Sequence, residues 1–104
     1  MTNEYPALPR VSVVIPHHGG EKIIKECLTS LQNTDYSNLE TIVVDNASKD
    51  NSVQFIKNNF PNIMLLQSEF NRGFAGGCNF GVQHATGEYL LILNNDTIHV
   101  KDWI

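Results

Sequence analysis

Val11-Ser12-Val13-Val14-Ile15-Pro16 opens the ordered pattern of the chain, and His17-His18-Gly19-Gly20 follows it. The first five residues are mostly β-branched and stop at a proline, which predicts a buried strand. The two glycines predict a loop. Beyond them Ile23, Ile24, Cys27, Leu28 and Leu31 recur at helical spacing and predict one apolar helix face over residues 21–32. Strand, short loop and amphipathic helix in this order form the first half of a βαβ unit.

The same cycle recurs downstream. Thr41-Ile42-Val43-Val44 predicts a second strand ending at Asp45, and Asn46-Ala47-Ser48-Lys49-Asp50 a polar loop. Asn51 and Ser52 stand at a helix start, with Val53, Ile56 and Phe60 at helical spacing until Pro61 breaks it. Ile63-Met64-Leu65-Leu66 predicts the third strand, and residues 73–85 a third helix. Tyr89-Leu90-Leu91-Ile92-Leu93 predicts the fourth strand, stopping at Asn94-Asn95-Asp96.

Strands alternating with helices imply a parallel sheet with right-handed crossovers. The expected fold class is α/β, a Rossmann-like parallel sheet of order 3-2-1-4 with flanking helices. Four near-continuous apolar strands are expected to be buried on both faces. Ligands of such sheets sit outside the carboxyl ends of the strands, where the strand order reverses. The ends of strands one, two and four supply His17 and His18, then Asp45, then Asn94, Asn95 and Asp96.

Carboxylates from two strands would meet in one crevice, and a divalent cation would relieve their repulsion. Mg²⁺ or Mn²⁺ suits oxygen ligands shared with phosphates. Asp96 is the expected metal ligand, and Asp45 the expected hydrogen-bonding partner of a base or ribose. An Asp or Asn after a strand also serves as an ordinary cap or turn former. Adjacent histidines in a loop are often simply solvated. Arg72 precedes the small-residue helix start Gly73-Phe74-Ala75-Gly76-Gly77, where free N–H groups favour an anion such as a diphosphate. The alternative is that Arg72 pairs with a surface acid and the glycines only permit close helix packing. Neither a G-x-G-x-x-G fingerprint nor a phosphate-binding G-x-x-x-x-G-K-[ST] loop is present.

The 104 residues suffice for one small domain. A formal charge of −4 argues against nucleic acid or an anionic membrane as the main partner. No run of about 20 apolar residues occurs, and residues 1–10 lack the pattern of a signal peptide. A cytoplasmic location and free, buried Cys27 and Cys78 are therefore expected.

Val13-Val14-Ile15-Pro16, Val43 to Ser52, Asn71 to Asn79 and Leu93-Asn94-Asn95-Asp96-Thr97 together resemble the family 2 glycosyltransferases of the GT-A fold. The resemblance runs from about Val11 onwards and divides the chain into a polar segment, 1–10, and a partial GT-A domain, 11–104, its nucleotide-sugar-binding half. It implies that Pro16 and His17 line a base pocket, although the family more often has Thr-Tyr-Asn after the proline. It implies base or ribose contacts from Asp45, with Asp50 nearby. Asn71, Arg72 and Gly73 would border the nucleotide, with Gly76, Gly77 and Asn79 behind them. Asn94-Asn95-Asp96 takes the place of the family's D-x-D motif, with Asp96 the metal contact and Asn95 beside it. Asn-Asn-Asp-Thr is similar to the rhamnosyltransferase-like branch, which implies a UDP- or dTDP-sugar donor and a role in cell-surface polysaccharide biosynthesis.

An inverting transfer to a glycan or lipid-linked acceptor also needs a general base. In the resembled family that base lies in the second half of the domain, beyond Ile104. The chain alone is therefore expected to bind nucleotide weakly, to transfer no sugar, and to self-associate through an exposed sheet edge. A full-length parent could be membrane-associated. A nucleotidyltransferase and a non-catalytic nucleotide-binding module are the competing expectations.

Overall fold

The computed structural model describes residues 8–104. Seven elements alternate along the chain: β1 (Val11–His17), α1 (Glu21–Gln32), β2 (Leu39–Asn46), α2 (Ser52–Asn59), β3 (Met64–Ser68), α3 (Gly73–Val82) and β4 (Tyr89–Ile92). All strand pairs are parallel, in the order β3-β2-β1-β4. The register places His17 opposite Asp45 and Asn46 opposite Ser68.

Alternation along the strands divides the core in two. Val11, Val13 and Ile15 of β1 face α1 and α2 with Val43, and pack against Ile24, Cys27, Leu28, Leu31 and Ile56. Val14, Ile42 and Val44 point to the other side, where Phe80 and Val82 of α3 cover them. By the same alternation His17 and Asp45 continue the α1/α2 face, whereas Pro16 and Asn46 continue the α3 face. The chemistry of the strand ends follows from this split.

α3 lies close on the sheet because it carries glycine where it touches. A Cβ on Gly81 would overlap Val14 Cγ1 and stand 3.0 Å from Val44 Cγ2, and one on Gly77 would stand 2.8 Å from Asn46 Nδ2. Close packing thus accounts for both positions. Gly19 and Gly20, with φ of 72° and 97°, turn the chain from β1 into α1 through the left-handed region that L side chains avoid.

Several elements differ from expectation. β1 continues through Pro16 to His17, because ladder bonds to β2 persist there. β2 starts at Leu39, β3 covers 64–68 rather than 63–66, and α3 ends at Val82 instead of residue 85. Ile23 is exposed, since it lies off the stripe set by Ile24, Cys27, Leu28 and Leu31. Burial on both faces holds for β1 and most of β2 but not for β3, where Met64 and Gln67 are exposed, nor for β4, where Tyr89, Leu90 and Ile92 are exposed. Among the described residues β3 and β4 are the edge strands, each with a neighbour on one side. Of the polar segment 1–10, residues 1–7 lie outside the described residues. Cys27 and Cys78 are free and buried. Among the described residues no helix is long and apolar enough to cross a membrane.

At the opposite end of the sheet from the strand carboxyl termini, Glu40 gathers Ser12, Thr86 and Arg10. Its Oε1 accepts from Ser12 Oγ at 2.7 Å and from the Thr86 N–H at 2.9 Å, and its Oε2 from Arg10 at 3.2 Å. Desolvation would raise the Glu40 carboxyl, but these bonds outweigh it and hold it below the ordinary carboxylate range.

Candidate functional site

The carboxyl ends of β1, β2 and β4 and the start of α3 enclose an open cleft of about 370 Å³. Pro16, His17, His18, Asn46, Asn71, Gly73, Phe74, Asn94, Asn95 and Asp96 line it. Three loops distant in sequence therefore meet at the switch between β1 and β4, as the topology requires. The lining holds one carboxylate, Asp96, and no lysine or arginine.

His17 is 1% exposed, so the expectation of a solvated histidine pair fails for its first member. The Asn95 side-chain amide donates to Nδ1 at 2.9 Å. That leaves the proton on Nε2, which donates to Ser52 Oγ at 2.9 Å. Ser52 in turn donates to Asp50 Oδ1 at 2.5 Å. Burial lowers the His17 pKa and outweighs the attraction of Asp45 and Asp50. The neighbouring His18 is exposed; its Nδ1–H donates to the Asn46 carbonyl at 2.6 Å.

Asn46 is the hinge of the α3 side. Its Oδ1 accepts from the Arg72 N–H and its Nδ2 donates to the Gly73 carbonyl, both at 3.3 Å. Asn71 Oδ1 accepts from the Gly73 N–H at 2.8 Å. These bonds fix the loop that feeds α3. The next N–H groups of its first turn have no intrahelical partner, and Gly73 and Phe74 bring that turn to the cleft wall.

Of the residues expected at the site, Pro16, His17, Asn71, Gly73, Asn95 and Asp96 come together. Asp45, Asp50, Arg72, Gly76 and Asn79 are not among the lining residues. Asp45 is 2% exposed because it continues the α1/α2 face, and its two oxygens accept from Ser48 Oγ at 2.5 Å and the Ser48 N–H at 3.0 Å. Asp50 braces two helix starts, accepting from the Gly20 N–H at 2.8 Å and the Ser52 N–H at 3.0 Å. The Ser52 hydroxyl bond and these N–H bonds hold its pKa at about 2. Arg72 turns away from the cleft: its guanidinium lies over Phe80 and Phe70 and donates to Ser68 Oγ. Gly76 follows Arg72 into the helix, and Asn79 is exposed further along it.

Sequence reasoning assigned no role to Asn46 or Phe74. The signal for Asn46 was present: one residue past Asp45, strand alternation sends it to the opposite face. Phe74 is 57% exposed, and nothing in its spacing marks it.

The family model described as "Glycosyl transferase family 2" matches residues 12–104. The chain belongs to glycosyl transferase family 2. Among curated family members it is 30% identical over 93 residues to the Escherichia coli UDP-Glc:alpha-D-GlcNAc-diphosphoundecaprenol beta-1,3-glucosyltransferase WfgD, covering 88% of this chain and 37% of that protein. Among solved structures it matches S. aureus TarS 1-349 in complex with UDP, with a TM-score of 0.82 and 32% identity over 89% of this chain and 29% of that one. It also matches the mannosyltransferase PcManGT from Pyrobaculum calidifontis in complex with GDP-Man and Mn²⁺, with a TM-score of 0.80 and 32% identity over 86% and 28% of the two chains. The chain thus spans about a third of the length of these relatives. Their names carry UDP-glucose, UDP and GDP-mannose.

Proposed function

We propose that the cleft binds the nucleoside diphosphate of a UDP-linked sugar, and that the chain supplies the donor-binding part of an inverting glycosyltransferase. The observation that carries this is the convergence of three strand ends and the α3 start on one cleft whose single charged group is Asp96. The amide side chains of Asn46, Asn71, Asn94 and Asn95 offer both donors and acceptors to a polar ligand. The first turn of α3 offers N–H groups to phosphate oxygens. Pro16, His18 and Phe74 provide wall surface for a ring.

A diphosphate placed beside Asp96, with no lysine or arginine in the lining, calls for positive charge. Among the described residues no three of His, Cys, Asp and Glu cluster as a closed all-protein cation cage would need. One carboxylate plus ligand phosphates suits Mg²⁺ or Mn²⁺, which keep several waters. Asp96 would hold the cation, and the cation would neutralise charge developing on the leaving diphosphate. The complex of PcManGT with GDP-Man and Mn²⁺ supports this. Asp45, Asp50 and Arg72 act on the same site indirectly, by bracing the loops that shape it.

With Asp96 committed to the cation, the lining offers no second carboxylate to deprotonate an acceptor hydroxyl. The base and the acceptor, a glycan or lipid-linked sugar, belong to parts of the enzyme beyond these residues. The diphosphoundecaprenol in the WfgD name supports a cytoplasmic enzyme working at the membrane face, in cell-surface polysaccharide synthesis. The exposed β4 edge supports self-association of this chain.

Calorimetric titration with UDP, with and without Mn²⁺, tests the proposal. UDP is expected to bind more tightly with Mn²⁺, and Asp96→Asn to remove that difference. Preference for a nucleoside triphosphate would favour a nucleotidyltransferase. Equal binding of UDP with and without Mn²⁺, or sugar transfer by the chain alone, would overturn the assignment.

A further inference from the structure

We infer that His17 is a positioning residue which sets the Asn94-Asn95-Asp96 loop and couples its place to the N-termini of α1 and α2. Just past β4 the Leu93 N–H donates to the Val14 carbonyl at 3.0 Å. Further on, the His99 N–H donates to Ser30 Oγ of α1 at 3.0 Å. Between those two anchors the Thr97 hydroxyl bonds within the loop, to the Asn94 carbonyl and to His99 Nε2, and Thr97 also hydrogen-bonds Cys27 Sγ of α1, at 3.9 Å from its hydroxyl. Among the described residues the Asn95–His17 bond, at 2.9 Å, is the side-chain hydrogen bond that joins this loop to the sheet.

Its other side is equally fixed. His17 and Ser52 are 1% and 0% exposed, so neither can trade its partner for water without local opening. The series runs from Asn95 to His17, to Ser52, to Asp50, and from Asp50 Oδ2 to the Gly20 N–H at the head of α1. An imidazole suits this place because its two nitrogens sit on opposite sides of a rigid ring, one accepting and one donating. A displaced Asn95 carries its neighbour Asp96 with it. Hydrogen-bonded supports behind a metal ligand typically alter affinity by about 10–100-fold when removed.

The ligand arm of the test rests on the donor-binding proposal; the structural arm does not. Ser52 is outside the cleft lining, so Ser52→Ala probes the series from its far side. In ¹H–¹⁵N spectra of the full chain, Ser52→Ala is expected to shift the Asn95 side-chain amide and the Asp96 backbone amide. In a His17→Phe background the same substitution is expected to leave both where His17→Phe alone puts them. Asn95 and Asp96 signals unmoved by Ser52→Ala, or moved equally in both backgrounds, would overturn the inference. Should His17→Phe not fold, His17→Gln takes its place, and an undiminished Ser52→Ala effect there is equally fatal. In the ligand arm, His17→Phe or His17→Gln is expected to weaken UDP binding with Mn²⁺ by about tenfold and with EDTA by less than about twofold. Equal weakening in both conditions would overturn the inference. Absence of Mn²⁺-dependent binding in the unaltered chain would overturn the donor reading alone, with the spectra still deciding the role of His17.

Discussion

The guanidinium carbon of Arg72 lies 4.4 Å from the centroid of the Phe80 ring, and neither residue lines the cleft. The Phe70 ring stands 4.8 Å from the same carbon, and the Arg72 Nε–H donates to Ser68 Oγ at 2.9 Å. Arg72 thereby clips the end of β3 to the last turn of α3. Cation–π contacts at exposed sites contribute about 0.5–1 kcal/mol, and a hydrogen bond about as much again. Arg72→Ala is expected to lower stability by about 1–2 kcal/mol. Arg72→Lys should recover less than half, because an ammonium lacks the planar face. Urea denaturation followed by circular dichroism measures both. Loss of UDP binding without loss of stability would show instead that the guanidinium swings to the ligand.

Gly81→Ala sets two known effects against each other. Alanine in place of glycine favours an exposed helix by up to about 1 kcal/mol. Here the new Cβ would overlap Val14 Cγ1 and crowd Val44 Cγ2, both on central strands and both 0% exposed. Neither valine can retreat, and overpacking of this kind costs about 1–3 kcal/mol. The expected net loss is about 1–2 kcal/mol, visible as a lower urea midpoint with an unchanged slope. A midpoint equal to or above that of the unaltered chain would mean that α3 can move off the sheet.

The sheet was legible because its signal is repeated four times: apolar run, polar loop, helical periodicity. Direction followed from the alternation of strands with helices, and the order 3-2-1-4 from the doubly wound layout that such an alternation adopts. The site was only half legible. Position at a strand end is written in the sequence, and it located Pro16, His17, Asn95 and Asp96. The direction of each side chain depends on strand parity and on local partners. Parity separates Asp45 from Asn46, and β1 had to run on to His17 before parity could be counted to its end. Ser48, Ser52, Phe70 and Phe80 claim Asp45, Asp50 and Arg72, and no motif announces those claims. The exposure of β4 was missed for another reason: composition reads an apolar strand identically whether or not a neighbour covers it.

Glu40 gives a control for effects at the cleft. It holds Ser12, Thr86 and Arg10 at the far end of the sheet. Glu40→Ala removes these bonds, one of them with Ser12, which is 0% exposed. The expected cost is about 2–3 kcal/mol. UDP affinity at a temperature where the variant is folded should not change. An affinity change as large as that from Asp96→Asn would mean that the two ends of the sheet are coupled.

Stability is expected to fall in two stages on acidification. Burial lowers the pKa of His17 and of His99 below 6.5. In the unfolded chain both take up a proton near pH 6.5, while the folded chain resists it, so the unfolded state binds more protons in that window. Their contribution is complete above about pH 6.5 and is lost as pH falls from there towards the lowered folded values. The carboxylates act lower down. Asp50 is held at about 2 against an ordinary 3.8, and Glu40 is also lowered. Their stabilisation is present above about pH 4 and disappears as pH drops through their folded pKa values. His17→Gln should flatten the first stage in part, leaving the share due to His99. Asp50→Asn should flatten the second in part, leaving the share due to Glu40, while keeping a side-chain oxygen for the Ser52 N–H. Urea midpoints between pH 3 and 8 measure both. A first stage of undiminished slope in His17→Gln would mean that His17 is free to take its proton in the folded chain, which its burial between Asn95 and Ser52 opposes.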